Sequence, residues 1–382
     1  MNPRIYLDFN ATAPLGDHVR AALTQLISDP GHLGTLGNPS SVHAEGRRAR
    51  DRIERARGQI AHLLGRPREQ VVFTSGGTEG NALGVLGLAA VAEQRGLPHV
   101  VAAAAIDHPS LVGAVAALVG RGWRLQPIRV SGDGALEAAS LAGVGLVAIA
   151  QVNHELGTLA DPRIIPAARQ AGALVHVDAV QAAGKCALAA VDADALVISA
   201  HKLGGPQGVG ALAIAHDDGL PVVDAGHQER GRRSGTENTL GIVGFGAAAE
   251  HADAAAWPAV AALGARLEAG LVAMAGVRIH GAGTPRIGGT INAGFAGARG
   301  ESIVIALDLA GIAASTGAAC TSGSIQPSPV LLGLGLPPDK AREAVRFSLG
   351  RTTTADEIDA VLDRLPAIVA RARRHGATVP GR

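Results

Sequence analysis

Between residues 70 and 215 the chain repeats one unit: a short apolar run, a turn, a helical stretch, then another apolar run. Residues 70–75 (QVVFTS), 100–105, 123–130, 144–152, 173–178, 195–199 and 209–215 read as strands. They are Val/Ile-rich or continuously apolar, as expected where both sheet faces are covered. Residues 79–96, 110–120 and 163–172 read as helices, with Gly96, Gly120 and Gly172 at their ends. Parallel strands need a crossover rather than a tight hairpin. The alternation therefore predicts an α/β fold with a mostly parallel seven-stranded sheet and helices on both faces. Residues 42–65 predict a long amphipathic helix ahead of it. Residues 239–275 predict an Ala-rich helical stretch interrupted by Pro258. Shorter strands at 290–295 and 345–349, with helices at 301–310 and 355–374, predict a smaller α+β unit. The expected division is a large domain over 14–249 and a small one from 1–13 and 250–382. The closing ATVPGR reads as a frayed tail.

Composition narrows the function. Formal net charge is +1 and aromatics are 2% of residues. That gives no electrostatic or stacking case for direct nucleic-acid binding. No apolar run reaches the ~20 residues that span a bilayer, and the mixed opening MNPRIYLDFN predicts no secretory signal. A cytoplasmic, membrane-free setting is the expectation. Two cysteines, Cys186 and Cys320, exclude a disulfide scaffold or a Cys-rich metal site, and no metal is expected. The lysines are three: Lys185, Lys202 and Lys340. Chemistry that needs an amine or a thiol has few candidates.

Lys202 follows an apolar strand and precedes a glycine-rich turn, in SAHKLGGP. It is either a surface loop lysine or a group over the ligand edge of an α/β sheet. Lys185 and Lys340 sit in contexts that read as solvated. A buried lysine amine is the natural partner of an aldehyde cofactor, as a Schiff base. Pyridoxal phosphate would then need a phosphate site, a carboxylate for its ring nitrogen and a stacking group. The strand–turn–helix FTSGGTEGN at 73–81 is a tight turn or an anion cradle. Asp178 ends an apolar strand, as a helix N-cap or a ligand group. His108 follows another, as a helix-start residue or a stacking group. Asp178 and Lys202 are 24 residues apart, one helix-and-strand step, so they fall on neighbouring strand ends.

With these residues in place, the chain resembles the cysteine desulfurases of the NifS/IscS type, among the fold-type I pyridoxal-phosphate enzymes of the class-V aminotransferase family. The resemblance runs nearly end to end: IYLDFNAT at 5–12, GNPSSVH at 37–43, the segments around 73–81, 107–108, 176–181 and 199–206, ERGRRSGTEN at 229–238, and RFSLGR at 346–351. It implies that Lys202 carries the cofactor, Asp178 pairs with the pyridine nitrogen and Gln181 contacts the phenolic oxygen. It implies a phosphate site of Gly77, Thr78, Ser199 and His201, with Thr236 reaching the phosphate of a second subunit in a homodimer. Arg346 would grip the substrate carboxylate, near Asn38. His108 would stack on the ring and could relay protons.

Cys320 lies in STGAACTSGSIQP, small, polar and glycine-rich, which reads as a mobile loop. Cys186, in KCAL, reads as structural. The resemblance places the catalytic thiol at Cys320, in the subgroup with a long catalytic loop. The implied reaction takes sulfur from L-cysteine, releases L-alanine and leaves a persulfide on Cys320 for an acceptor protein. Iron–sulfur cluster assembly and tRNA or DNA thiolation are the candidate destinations. A selenocysteine lyase, or another lyase or aminotransferase of the same fold, is the alternative reading. One position departs from the family: VNHELGT at 152–158 carries His154 where a second Asn is usual. That residue would lie at the phenolic oxygen or the substrate. The chain also ends soon after its last helix, whereas some relatives carry a C-terminal extension for scaffold docking.

Overall fold

The structure, a computed structural model, describes residues 4–28, 36–137, 140–216, 226–317 and 326–376. The expected tail lies outside them. A seven-stranded sheet runs in the spatial order Val71–Thr74, Gly210–Ile214, Ala195–Ser199, Leu174–Asp178, Leu146–Ala150, Val100–Ala103 and Arg124–Pro127. Gly210–Ile214 is antiparallel to both neighbours, and the other pairings are parallel. The α/β architecture agrees with the sequence reading. The central strands are buried along their whole length. Of the two edge strands, Arg124–Pro127 is largely exposed, whereas Val71–Thr74 is buried, packed against the helix Ala44–Leu64.

One apolar cluster lies between the sheet and the helices Gly77–Gln94 and Pro109–Val119. A larger one fills the opposite face and continues into the rest of the molecule. Glycine sets how close the first helix comes. Cβ atoms at Gly77, Gly80 and Gly84 would sit 2.8, 2.7 and 2.6 Å from Val180, Val197 and His176 side chains. Three glycines on one helix face let the backbone lie against the sheet, so the helix N-terminus arrives beside the strand ends.

The helix Ala44–Leu64 buries Ala49, Ile53, Ala56, Ile60 and Leu64, an apolar stripe at helical spacing. The 239–275 stretch breaks earlier than expected. The helix Thr239–Glu250 ends before His251, and Pro258 lies in the first turn of the next helix, Trp257–Val272. Proline is tolerated there because that N–H has no intrahelical partner. A three-stranded antiparallel sheet follows, in the order Ala344–Ser348, Thr290–Phe295, Val277–His280. A short parallel pair joins Ile5–Tyr6 to Ile312–Ala313. The helices Gly300–Leu309 and Ala355–Gly376 complete this group. The first strand then leads to Asn10, whose backbone N–H donates to Ser348 Oγ at 2.9 Å. That contact brings the opening segment and the second sheet to the edge of the first. No described helix is long and apolar enough to cross a membrane.

Candidate active site

A cavity of about 590 Å³ opens at the C-terminal edge of the parallel strands, where ligands bind in open α/β sheets. Gly77, Thr78, His108, His154, Asp178, Gln181, Ser199, His201, Lys202 and Arg346 all line it. Asn38 and Thr236 do not. Asn38 is exposed and accepts from the Ser40 N–H at 2.9 Å, and Thr236 is exposed. Cys320 lies outside the described residues. Gly317 and Gln326, which flank 318–325, both line the cavity. Gly317 has φ +79°, and a Cβ there would lie 2.6 Å from Glu155 Oε2. Glycine is required by both the backbone angle and the approach.

Lys202 closes a 3₁₀ turn, Ala200–Lys202, directly after its strand. Its Nζ donates to the carbonyls of Asn10 and Ala11 at 2.6 and 2.7 Å. Burial and then Arg346 push its pKa down to about 8, against the opposing charges of Asp8 and Asp178. A free amine is therefore accessible near neutral pH.

Asp178 is buried at its strand end. Oδ2 accepts from Asn81 Nδ2 at 2.7 Å and Oδ1 from the Val180 N–H at 2.9 Å. Asn81 is itself fixed by Ser110 Oγ at 2.9 Å and His176 Nε2 at 3.0 Å. Asp107 lies beneath, its carboxyl held well above the usual range by burial and then by the charge of Asp178. That environment favours the protonated form of Asp107.

His108 takes the helix-start role and also reaches the cavity. It caps Pro109–Val119, Nδ1 accepting from the Ser110 N–H at 3.2 Å, while its ring lines the cavity. His154 meets it edge to face, ring centroids 5.0 Å apart. Burial, then His108, Arg346 and Lys202, hold His154 well below its usual pKa. It is a neutral imidazole whose buried Nδ1 has no partner among the described residues.

Arg346 is buried on Ala344–Ser348. Nη2 donates to Asp8 Oδ1 at 2.9 Å and Nη1 to the His154 carbonyl at 3.1 Å. Its Nε is buried and unpartnered among the described residues. A guanidinium held this way suits a carboxylate in the cavity.

The donor set fits pyridoxal phosphate. Gly76 gives the helix Gly77–Gln94 no side-chain cap, so the N–H groups of its first residues are left for an anion, and Gly77 and Thr78 line the cavity together with Ser199 and His201. Burial and Lys202 push His201 down to about 4, so it is neutral there.

Lys185 corrects the sequence reading. It is not solvated: Nζ donates to Gln181 Oε1 at 2.9 Å and Asn10 Oδ1 at 3.2 Å, and lies 5.3 Å from the Trp257 ring centre. Asn10, Asn81, Asp107, Glu155 and Lys185 were not singled out as site residues by sequence reasoning. Asn10, Asn81 and Asp107 lay inside the family-like segments 5–12, 73–81 and 107–108, a signal that could have found them. Cys186 is half-buried against the core, consistent with a structural role. Among the described residues no three or more His, Cys, Asp or Glu side chains group as a metal site.

The class-V aminotransferase profile matches residues 5–361. Cysteine desulfurase 2 of Trichormus variabilis is 40% identical over 381 residues, covering 97% of this chain and 94% of that protein. A cysteine desulfurase of Enterobacter agglomerans is 39% identical over 382 residues, covering 97% and 93%. A solved NifS-like protein superposes with a TM-score of 0.86 at 29% identity, covering 96% of this chain and 100% of that one. SspA, solved in complex with cysteine, gives 0.76 at 28%, covering 90% and 98%. The chain belongs to the class-V aminotransferase family and, within it, to the cysteine desulfurases.

Proposed function

We propose that the chain removes sulfur from L-cysteine, releases L-alanine and holds the sulfur as a persulfide on Cys320 for an acceptor protein. The observation that carries the reading is the single cavity that gathers Lys202, Asp178, Gln181, an uncapped helix N-terminus and Arg346. Gly77, Thr78, Ser199 and His201 would hold the phosphate, Asp178 the ring nitrogen, Gln181 the phenolic oxygen and His108 the ring face. Bound pyridoxal phosphate supplies an electron sink for charge left at the substrate Cα.

The protein's own groups do the rest. Arg346 binds the carboxylate and so orients the amino acid. Lys202, as free base, removes the Cα proton and later returns one. Asp178 keeps the ring nitrogen protonated. The Cys320 thiolate attacks the substrate sulfur, and the Cβ–S bond breaks as the new S–S bond forms. The electron pair of the broken bond stays with the carbon skeleton, which takes up protons and leaves as alanine. Cys320 follows Gly317 by three residues, so the chain enters this segment from the cavity wall.

Thr236, exposed and away from its own chain's cavity, is assigned to the phosphate of a partner subunit in a two-fold homodimer. The division into a 14–249 domain and a domain from both ends of the chain belongs to this reading. It assigns Arg346 and Cys320 to the small domain and Lys202 to the large one. The test is incubation with L-cysteine, followed by mass spectrometry of the Cys320 peptide and an alanine assay. A gain of one sulfur there with stoichiometric alanine is expected, and Cys320→Ala should abolish both. Unaltered alanine release by Cys320→Ala would overturn the assignment.

A further inference from the structure

Of the three lysines, Lys185 is the one whose place at the cavity has no role in the reaction above. It stands behind the wall rather than in it. Its Nζ bonds two acceptors, Gln181 Oε1 at 2.9 Å and Asn10 Oδ1 at 3.2 Å. Each of these oxygens belongs to an amide whose nitrogen is also committed. Gln181 Nε2 donates to the Asn10 carbonyl at 2.9 Å. Asn10 Nδ2 donates to the His154 carbonyl at 3.1 Å and to Thr290 Oγ1 at 2.9 Å. A carbonyl only accepts, so the Asn10 amide has one orientation, and its oxygen must face Lys185.

We propose that Lys185 is a positioning residue that fixes the Gln181 amide, oxygen toward Lys185 and nitrogen toward the cavity, so that the cofactor is offered a hydrogen-bond donor. The inference rests on the reading that Gln181 faces the phenolic oxygen of pyridoxal phosphate. Flipping the amide would set its NH₂ against the Lys185 donors and its oxygen against the Asn10 carbonyl, and both contacts would be lost. A donor favours the anionic form of the phenolic oxygen; an acceptor there would oppose it.

The charged and titratable groups that act on Lys185 are Lys202, Arg346 and Cys186. Burial, with Lys202 and Arg346, pushes its pKa down to about 7, whereas Cys186 opposes the shift. Orientation survives that titration. A neutral amine still has two N–H donors, one for each acceptor oxygen.

The test is the absorbance of the cofactor-loaded enzyme titrated against pH, which reads the proton shared near the phenolic oxygen. A donor at that oxygen weakens its hold on the proton, so losing the donor raises the midpoint. Gln181→Leu and Lys185→Met should each raise proton affinity by roughly tenfold. Lys185→Arg, which keeps only donors, should stay near the parent. Lys185→Met added to Gln181→Leu should shift the midpoint no further. If the Lys185→Met shift persists in the Gln181→Leu background, Lys185 acts by charge alone and positioning is overturned. If Gln181→Leu shifts the midpoint and Lys185→Met does not, positioning is overturned while the site reading stands. If Gln181→Leu leaves it unmoved, Gln181 does not face the cofactor and both readings fall. Should Lys185→Met not fold, Lys185→Gln retains a donor without the charge. A parental midpoint then supports positioning, and a raised one overturns it.

Discussion

Asn81 holds Asp178 from the neighbouring helix, its Nδ2 lying 2.7 Å from Asp178 Oδ2. The pair joins the fifth residue of the helix that begins at Gly77 to the carboxylate expected at the ring nitrogen. Asn81 is fully buried and also bonded to His176 and Ser110, so it has no freedom to drift. Asn81→Ala strands one oxygen of Asp178 and the His176 ring nitrogen. Leaving buried partners unsatisfied costs about 1–3 kcal/mol. Pyridoxal phosphate should therefore bind about tenfold or more weakly, measured by cofactor titration. Unchanged affinity would show that Asp178 keeps its geometry without this amide.

Lys202 sets a pH dependence whose sign is fixed by its environment. Its pKa is pushed down to about 8, chiefly by burial and then by Arg346. The unprotonated amine is the nucleophile. Covalent capture of pyridoxal phosphate by the cofactor-free protein should climb about tenfold per pH unit below 7 and level off above about 8. An ordinary lysine would keep climbing past pH 9. Stopped-flow absorbance across pH 6–10 distinguishes the two, and a rate still rising at pH 9.5 excludes the depressed amine.

His154 stands where the family resemblance expects Asn; its buried, neutral ring meets His108 edge to face, and Arg346 donates to its carbonyl. Its pKa is lowered, so it gains a proton only well below the usual histidine range. That proton would put a third cation beside Arg346 and Lys202. The parent enzyme should lose activity as pH falls through this range. His154→Asn should keep the cofactor and hold its activity to lower pH. A pH–rate profile of both proteins at saturating L-cysteine checks this, and superimposable acid limbs would remove any role for His154 in it.

Much of the site was legible because it sits at strand ends. Asp178, Ser199 and Lys202 follow continuous apolar runs, and a covered parallel strand must deliver its next residues to one edge of the sheet. Gly77 and Thr78 follow a strand in the same way. Lys185 was not legible. Its neighbours Gly184 and Cys186 describe a turn, whereas its partner Asn10 is 175 positions away. Asn81 closes the family-like segment 73–81, but its partner Asp178, 97 positions on, is set by the fold alone. Pro258 misled for a local reason, since proline breaks a helix interior and starts a helix equally well. Contacts made by packing distant segments leave no periodicity to read.

Arg57 and Glu229 form a buried ion pair that anchors the segment leading to Thr236. Both guanidinium Nη atoms reach the carboxylate at 2.7 Å. Glu229 Oε2 also accepts from the Phe73 N–H at 2.8 Å, and Arg57 Nη1 donates to the Val71 carbonyl at 2.8 Å. Glu229 and Arg230 have φ of 48° and 59°, a left-handed turn that side chains other than glycine rarely adopt. Such a turn persists only where surrounding bonds over-determine it. Glu229→Gln keeps the shape but leaves the buried Arg57 with only the half-exposed Glu54 carboxylate, 3.0 Å from its Nε, as counter-charge, so the loss should approach the about 3–5 kcal/mol of a broken buried pair. The denaturation midpoint should fall, and amide exchange should rise at Phe73 and at residues 228–231. Replacing both partners with apolar residues, Arg57→Met with Glu229→Leu, should recover much of that loss, because a buried pair is worth less than the cost of breaking it. A double variant that loses as much as the two single losses added would show that the pair's hydrogen bonds, not the stranded charge, hold this turn in place.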